Sequence, residues 1–202
     1  MNVFTMNFLA HFYLTRYNNE LTVGNFLADF VRGNGQNHFS KKITKGINIH
    51  RRIDSFTDKH PIVQASRQRL RSTYHKYAMV ITDVYYDHFL AIHWNSFEKT
   101  PLEKFSAEIY GTLKQYEEIF PERAKRALHY MALHDWLTSY RTLEGIERAL
   151  RGLAMRATFE SGMENAAEDL KKDFAFYEQE FLQFFPELVK YCASSSELQK
   201  IL

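Results

Sequence analysis

Two short clusters of acidic and histidine side chains lie in the first half of the chain. In the first cluster, His50, Asp54 and Asp58 follow one another at four-residue steps. Four residues advance a side chain by only about 40° around an α-helix, so these three groups would share one helix face. An imidazole nitrogen and anionic oxygens suit Mn²⁺, Mg²⁺ or Fe²⁺ better than a closed structural zinc site. The spacing therefore predicts a metal site, although Asp58 is equally consistent with an N-cap before Pro61.

The second cluster contains Asp83 and Asp87, again four residues apart, and His88 directly after them. On a helix His88 lies about 100° around from Asp87, so the two carboxylates form the tighter pair. Their neighbours include valine, isoleucine, phenylalanine and leucine. A carboxylate among apolar side chains needs a metal ion or another cation to remain charged. This cluster is therefore a second candidate source of metal ligands.

Asp29 is a third acidic candidate, because it lies among core-type residues next to Phe30. Coordination of a cation would explain an acid in that position, and the alternative is an aspartate that accepts hydrogen bonds from Asn25 or an arginine. Arg51 and Arg52 follow His50 but point elsewhere on its helix, where a guanidinium group can meet phosphate oxygens.

Two other histidine positions are interpreted more conservatively. His11 lies between Ala10 and Phe12 on the first predicted helix, and by itself it is interpreted as a hydrogen-bonded core histidine. His134-Asp135 spells the two-residue signature of a group of metal phosphohydrolases, but this dipeptide is common by chance.

Helices must position all of these groups. The 202 residues include only 8 glycines and 4 prolines, while 45% of the residues are hydrophobic, which favours long helices around a sizeable core. Alternating β-branched patterns are nearly absent, so the predicted fold class is all-α. Apolar spacing predicts eight or nine helices in one compact domain over residues 1–202, bounded in part by Pro101, Pro121 and Pro186. The predicted helices cover residues 5–15, 21–31, 40–56, 62–70, 74–94, 102–119, 122–137, 143–153 and 163–185.

The composition also indicates a compartment and a kind of partner. A single cysteine rules out an internal disulfide framework and fits the cytoplasm, and no apolar run approaches the roughly 20 residues of a membrane span. The net charge of the chain is only +2, yet residues 41–76 contain ten basic and two acidic residues, a net charge of +8. Such a stretch attracts an acidic partner, unless its charges simply solvate helix faces.

Five sequence blocks carry a resemblance to a known family. They are Asn7 to His11; Gly24 to Gly33; Gly46-Ile47 with His50 to Asp54; Asp58; and Asp83 with Asp87 to Leu90 and His93-Trp94. In this order they resemble the acyl carrier protein phosphodiesterase family, and the similarity weakens after Trp94. The blocks are specific jointly, whereas none is specific alone.

The resemblance implies an all-helical fold distantly like the HD-type phosphohydrolases and a divalent metal, usually Mn²⁺. It also implies removal of the 4′-phosphopantetheine arm from the serine of holo acyl carrier protein. His134-Asp135 falls outside the shared blocks.

The predicted site residues follow from the clusters and the resemblance together. The predicted metal ligands are Asp29, His50 and Asp87. Three further groups either complete the ligand set or orient it, and they are Asp54, Asp83 and His88. The phosphate would be held by Arg32, Arg51 or Arg52. Acyl carrier protein is small, helical and strongly acidic, so its predicted docking surface is the basic stretch, represented by Lys41, Lys42, Lys45, Arg67, Arg69 and Arg71.

Two other functions remain open from the sequence. A metal-dependent nucleotide phosphohydrolase would use the same ligands on a small anionic substrate. A non-catalytic helical protein would bind an acidic protein or nucleic acid through the basic stretch. Nucleic acid is disfavoured, because the aromatic residues follow helical core spacing and do not interleave with the basic residues as stacking platforms would.

Overall fold

The fold consists of α-helices joined by short turns. The computed structural model describes residues 8–194, and within this range there is no β-strand. The described α-helices are α1 (Phe8–Thr15), α2 (Asn19–Leu27), α3 (Lys41–Lys59), α4 (Pro61–Tyr74), α5 (Ala78–Ile92), α6 (Trp94–Phe97), α7 (Leu102–Gln115), α8 (Glu122–Leu133), α9 (Trp136–Ser139), α10 (Leu143–Ala154), α11 (Ala166–Lys172) and α12 (Phe174–Ser194). The predicted all-α class is confirmed. Residues 5–7 of the first predicted helix lie outside the described residues.

The twelve α-helices between residues 8 and 194 exceed the predicted eight or nine, because several predicted helices are interrupted. The predicted helix over residues 74–94 is broken at His75, whose φ of 49° is left-handed. The predicted helix over residues 122–137 ends at Leu133, because Asp135 has a φ of 42°. A left-handed residue cannot continue a right-handed helix, so each position ends one run of backbone hydrogen bonds.

Pro186 was predicted to punctuate the chain, and this prediction is wrong. It lies inside α12, which continues to Ser194. Proline removes one backbone donor from a helix, a loss that burial of the surrounding face can offset. Phe184, Phe185 and Leu188 are all buried around it, which holds the helix together on both sides of the proline.

Helix α5 is the central helix of the core. Every residue from Val80 to Ala91 is buried, and α5 packs against α1, α4, α10 and α12. Other helices therefore surround its acidic cluster, so the carboxylates of Asp83 and Asp87 must form their hydrogen bonds and ion pairs with groups of those helices.

Helices α2 and α3 run in the same direction and touch through their backbones. Ser40 donates a hydrogen bond to Glu20 near the start of both helices, and Asn25 contacts His50 further along both. A Cβ atom on Gly24 would collide with the carbonyl oxygen of Ile43, and one on Gly46 would collide with that of Leu21. Two glycines thus permit the close approach that places α2 beside the first acidic cluster of α3.

Within residues 8–194, no helix combines the length and the apolar character that crossing a membrane requires.

Candidate metal centre

Three side chains from two helices meet at one point. His11 of α1 and His50 and Asp54 of α3 each offer a ligand atom, and these atoms lie within 4.8 Å of one another. The two oxygens of Asp54 are divided between the histidines, with Oδ1 lying 3.2 Å from Nε2 of His11 and Oδ2 lying 3.2 Å from Nε2 of His50. Among the described residues, this is the group of histidine, cysteine or acidic side chains that comes close enough to hold a metal ion.

Asn25 determines which nitrogen of His50 faces this group. The Asn25 amide donates from Nδ2 to the carbonyl oxygen of His11 at 3.2 Å, so its Oδ1 is left as an acceptor. Nδ1 of His50 lies 2.8 Å from that Oδ1 and therefore donates to it. In the neutral ring, the lone pair is then on Nε2, which points toward the carboxylates. This is the arrangement of a metal-ligating histidine whose other nitrogen is held by a neighbouring acceptor.

Asp29 brings a second carboxylate to His50. Its Oδ1 lies 3.6 Å from Nε2 of His50, and its nearly buried side chain lies two residues after the end of α2. Burial opposes a charge on His50, but the carboxylates of Asp29 and Asp54 outweigh it and raise the pKa of His50 above its ordinary value.

His11 is held face to face with His50. The ring centroids are 4.0 Å apart, and the ring planes differ by 21°. Burial and the neighbouring His50 lower the pKa of His11, so its ring is held in the neutral form. Both ring nitrogens are buried, and neither makes a well-aligned hydrogen bond in the described part of the chain, although Nε2 has the Asp54 carboxylate 3.2 Å away. A buried nitrogen without such a hydrogen bond carries an energetic cost that a metal ion would remove.

Asp54 connects the group to solvent, because its side chain is 35% exposed. Burial of the carboxyl would raise the pKa of Asp54, but the two adjacent histidines lower it well below its usual range. Two imidazoles and the partly exposed Asp54 carboxylate, with Asp29 beside His50, form a mixed nitrogen and oxygen donor set that is compatible with a divalent metal ion.

The structure gives Asp87 partners other than the predicted metal site. Its two oxygens accept backbone hydrogen bonds from Leu9 and Ala10, each at 2.9 Å. Burial raises the pKa of Asp87, although these two hydrogen bonds oppose the rise. Asp87 thus accepts hydrogen bonds from backbone N–H groups in the first turn of α1, which have no acceptor within the helix. It lies outside the group of His11, His50 and Asp54.

Asp83 and His88 also lie outside that group. Nδ1 of His88 donates to the carbonyl oxygen of Tyr140 at 2.7 Å, which connects α5 to the region after α9. Asp83 accepts a hydrogen bond of 3.4 Å from Arg67, whose other terminal nitrogen donates to Asp58 at 2.8 Å. Burial raises the pKa of Asp83 to about 7.

Arg67 therefore does not belong to the exposed docking surface that was predicted for it. Its side chain is buried between two aspartates. Arg69 already forms an ion pair within the protein, because it donates from both terminal nitrogens to Glu180. The remaining members of the predicted surface are exposed or partly exposed, and these are Lys41, Lys42, Lys45 and Arg71.

The three predicted phosphate-binding arginines are exposed. Arg51 lies one helical turn before Asp54 and donates to Gln36 at 2.9 Å. Arg32 begins the segment that contains Gln36, so Arg32 and Arg51 lie on neighbouring parts of the surface. Arg52 follows Arg51 on the exposed side of α3.

Comparison with known proteins identifies the family. A family model described as acyl carrier protein phosphodiesterase matches residues 6–188. The chain belongs to the acyl carrier protein phosphodiesterase family. The resemblance that the five sequence blocks indicated is thus confirmed.

Relatives with this name match nearly their whole length. One from Photorhabdus laumondii subsp. laumondii is 31% identical over 186 residues, which cover 92% of this chain and 94% of the relative. Relatives from Escherichia coli O157:H7 and Shigella boydii serotype 18 are each 35% identical over 188 residues, which cover 91% of this chain and 96% of theirs. No solved structure matches the chain, so the likeness to HD-type phosphohydrolases stays a prediction.

His11 is the site residue that sequence reasoning misjudged, because it was interpreted as a hydrogen-bonded core histidine. It is buried as expected, yet its ring stacks on His50 and its Nε2 approaches the Asp54 carboxylate, which places it in the candidate site. The one signal for it was its place at the end of the first block shared with the phosphodiesterase family. His134-Asp135 takes no part in this group, since Asp135 accepts a hydrogen bond of 2.6 Å from Ser106.

Proposed function

We propose that this protein hydrolyses the phosphodiester that links 4′-phosphopantetheine to the serine of holo acyl carrier protein. The reaction would release 4′-phosphopantetheine and leave the serine hydroxyl on apo acyl carrier protein. The observation that carries this proposal is the meeting of His11, His50 and Asp54 at a partly open point, with Asp29 in contact with His50, in a chain of the phosphodiesterase family.

We assign the divalent ion to those four side chains and expect Mn²⁺. When bound, the ion would lower the pKa of a coordinated water and neutralise charge on the phosphoryl oxygens. Asn25 keeps the Nδ1 proton of His50 away from the ligand side, and Asp87 holds the helix that carries His11. Both are positioning residues in this proposal.

The phosphate would be bound by the exposed arginines next to Asp54. Arg51 is one turn away on the same helix, and Arg32 lies on the neighbouring connection between α2 and α3. A guanidinium group can donate two parallel hydrogen bonds to phosphate oxygens, which fixes the orientation of the phosphorus atom.

The protein partner would approach from the basic surface at the start of α3. Lys41 and Lys42 are exposed there, about 20 Å from Asp54 by the rise of the helix. This distance lies within the footprint of a small helical domain, so an acidic carrier could contact these lysines while its modified serine reaches the metal centre. We also place the protein in the cytoplasm, in keeping with its single, buried cysteine.

The direct test is incubation of the purified protein with holo acyl carrier protein and Mn²⁺, followed by mass spectrometry of the carrier. We expect the mass of the carrier to fall by that of phosphopantetheine less one water molecule, and we expect EDTA or Asp54→Asn to stop the reaction. Ser55→Ala is the matched control, because Ser55 is the exposed neighbour of Asp54 on α3. An unmodified carrier mass together with turnover of free nucleotides would favour the nucleotide phosphohydrolase alternative.

A further inference from the structure

A large and mostly apolar cavity is built from helix α3 and the segment after α2, which also carry the candidate metal centre. It has a volume of about 720 Å³ and opens between the connection from α2 to α3 and the turn between α7 and α8. Its lining includes Phe30, Val31, Arg32, Ile43, Ile119 and Phe120. The cavity thus has mostly apolar walls, and its polar members include the guanidinium group of Arg32 and the carboxylate of Glu20, which is paired with Lys42.

The cavity and the metal centre share two stretches of backbone. Asp29, which faces His50, is followed directly by Phe30 of the cavity wall. On α3, Ile43 of the cavity precedes His50 by seven residues, which is two helical turns and about 10 Å along the axis. A ligand anchored at the metal centre therefore needs to extend only about that far to enter the cavity.

The phosphopantetheine arm has the required length and chemistry. It extends roughly 15 Å from phosphorus to sulfur when stretched, by ordinary bond lengths. Its geminal dimethyl group and methylene pairs suit apolar walls, whereas its phosphate suits Arg32 and the metal centre. Tyr116 and His38 also line the cavity and offer polar groups to the two amides of the arm.

We propose that this cavity binds the pantetheine part of the substrate, with the phosphate at the metal centre and the thiol end among the apolar side chains. This assignment rests on the proposed function for the identity of the ligand. It predicts that recognition of the arm is separate from docking of the carrier protein at the basic surface.

Ile119 is a suitable position for a substitution in the cavity wall, because its side chain is 46% exposed and its replacement does not open the core. We expect Ile119→Asn to raise KM for holo acyl carrier protein about fivefold, with kcat changed less than twofold, as partial loss of one apolar contact implies. The dissociation constant for pantetheine, measured by NMR titration, should rise by a similar factor. The matched control is Leu182→Asn, since Leu182 is 41% exposed on α12 and lies outside the cavity lining.

Pantetheine carries no protein, so its titration separates the cavity from carrier docking. If Ile119→Asn matches Leu182→Asn in both measurements, the cavity assignment is overturned and the proposed function stands. If pantetheine binding weakens only in Ile119→Asn while the wild-type protein fails to cleave holo acyl carrier protein, the cavity assignment is supported and the proposed function is overturned.

Discussion

At the scale of single residues, the decisive contact is the one between Asn25 and His50. The amide fixes the imidazole so that Nε2 faces Asp29 and Asp54. His50, Asp54 and Asp29 could be selected from the sequence, because acids and histidines at helical spacing in apolar surroundings are unusual. The roles of Asn25 and His11 could not be predicted, since only the packing of α1 and α2 against α3 shows what their side chains contact.

Replacing Asn25 tests this positioning role. We expect Asn25→Ala to weaken Mn²⁺ binding by about 10-fold to 100-fold, because His50 loses the acceptor that holds its ring and its tautomer. Isothermal titration with Mn²⁺ measures the change, and circular dichroism checks that the helices remain. Equal affinity in Asn25→Ala and the wild-type protein would contradict the assignment of His50 as a ligand.

The raised pKa of His50 predicts how metal binding depends on pH. A raised pKa means that the folded protein holds a proton on His50 at higher pH than an ordinary histidine does. Since that proton occupies the nitrogen that would bind the ion, lowering the pH should weaken Mn²⁺ affinity, by up to about tenfold per pH unit below this pKa. Titrations between pH 5.5 and 8 measure the effect, and a flat profile would be the contrary result.

At the scale of secondary structure, the main finding is that α5 supports α1 through Asp87. Sequence periodicity located the helices but not all of their ends. The breaks at His75 and Asp135 depend on single left-handed residues that carry no glycine signal. Likewise, the acids of α5 could be predicted to need partners, yet the pattern did not reveal that these would be backbone amides and Arg67.

Asp87→Ala should therefore destabilise the fold as well as impair activity. The substitution leaves two backbone donors of α1 without their acceptor in a buried place, which costs about 2–4 kcal/mol. Urea unfolding measures this loss. Asp87→Asn should lower the free energy of unfolding by less than Asp87→Ala does, because the amide oxygen of asparagine still accepts one of the two hydrogen bonds.

If Asp87→Ala keeps the stability of the wild-type protein and loses only Mn²⁺ binding, Asp87 acts as a ligand, as the sequence first indicated.

At the scale of the whole molecule, charge is distributed unevenly along the chain and over its surface. The all-α class could be predicted from composition and periodicity. Which basic residues of the stretch 41–76 are exposed could not be predicted in this way. Arg67 has the same charge as Lys41, but the structure buries it with Asp58 and Asp83. Sequence separation alone could not reveal that α4 turns this arginine inward.

Charge reversal at the start of α3 tests carrier docking. We expect the double change of Lys41 and Lys42 to glutamate to raise KM for acyl carrier protein severalfold at low salt, and the effect should shrink as salt screens the surface. The kcat should change little, because neither lysine touches the metal centre. The matched control reverses Lys104 and Lys114, which are exposed on α7. Equal KM values for the two double variants would place the docking surface elsewhere.

The contact between Gly24 and Gly46 links the spacing of two helices to the chemistry of the site. Neither glycine has a side chain to offer the site, yet an extra methyl group on either one would collide with the backbone of the other helix and force α2 and α3 apart. A larger distance between the helices would move Asn25 and Asp29 away from His50, since their contacts with His50 cross the interface between α2 and α3. We therefore expect Gly46→Ala to lower Mn²⁺ affinity, although the substitution removes no candidate ligand.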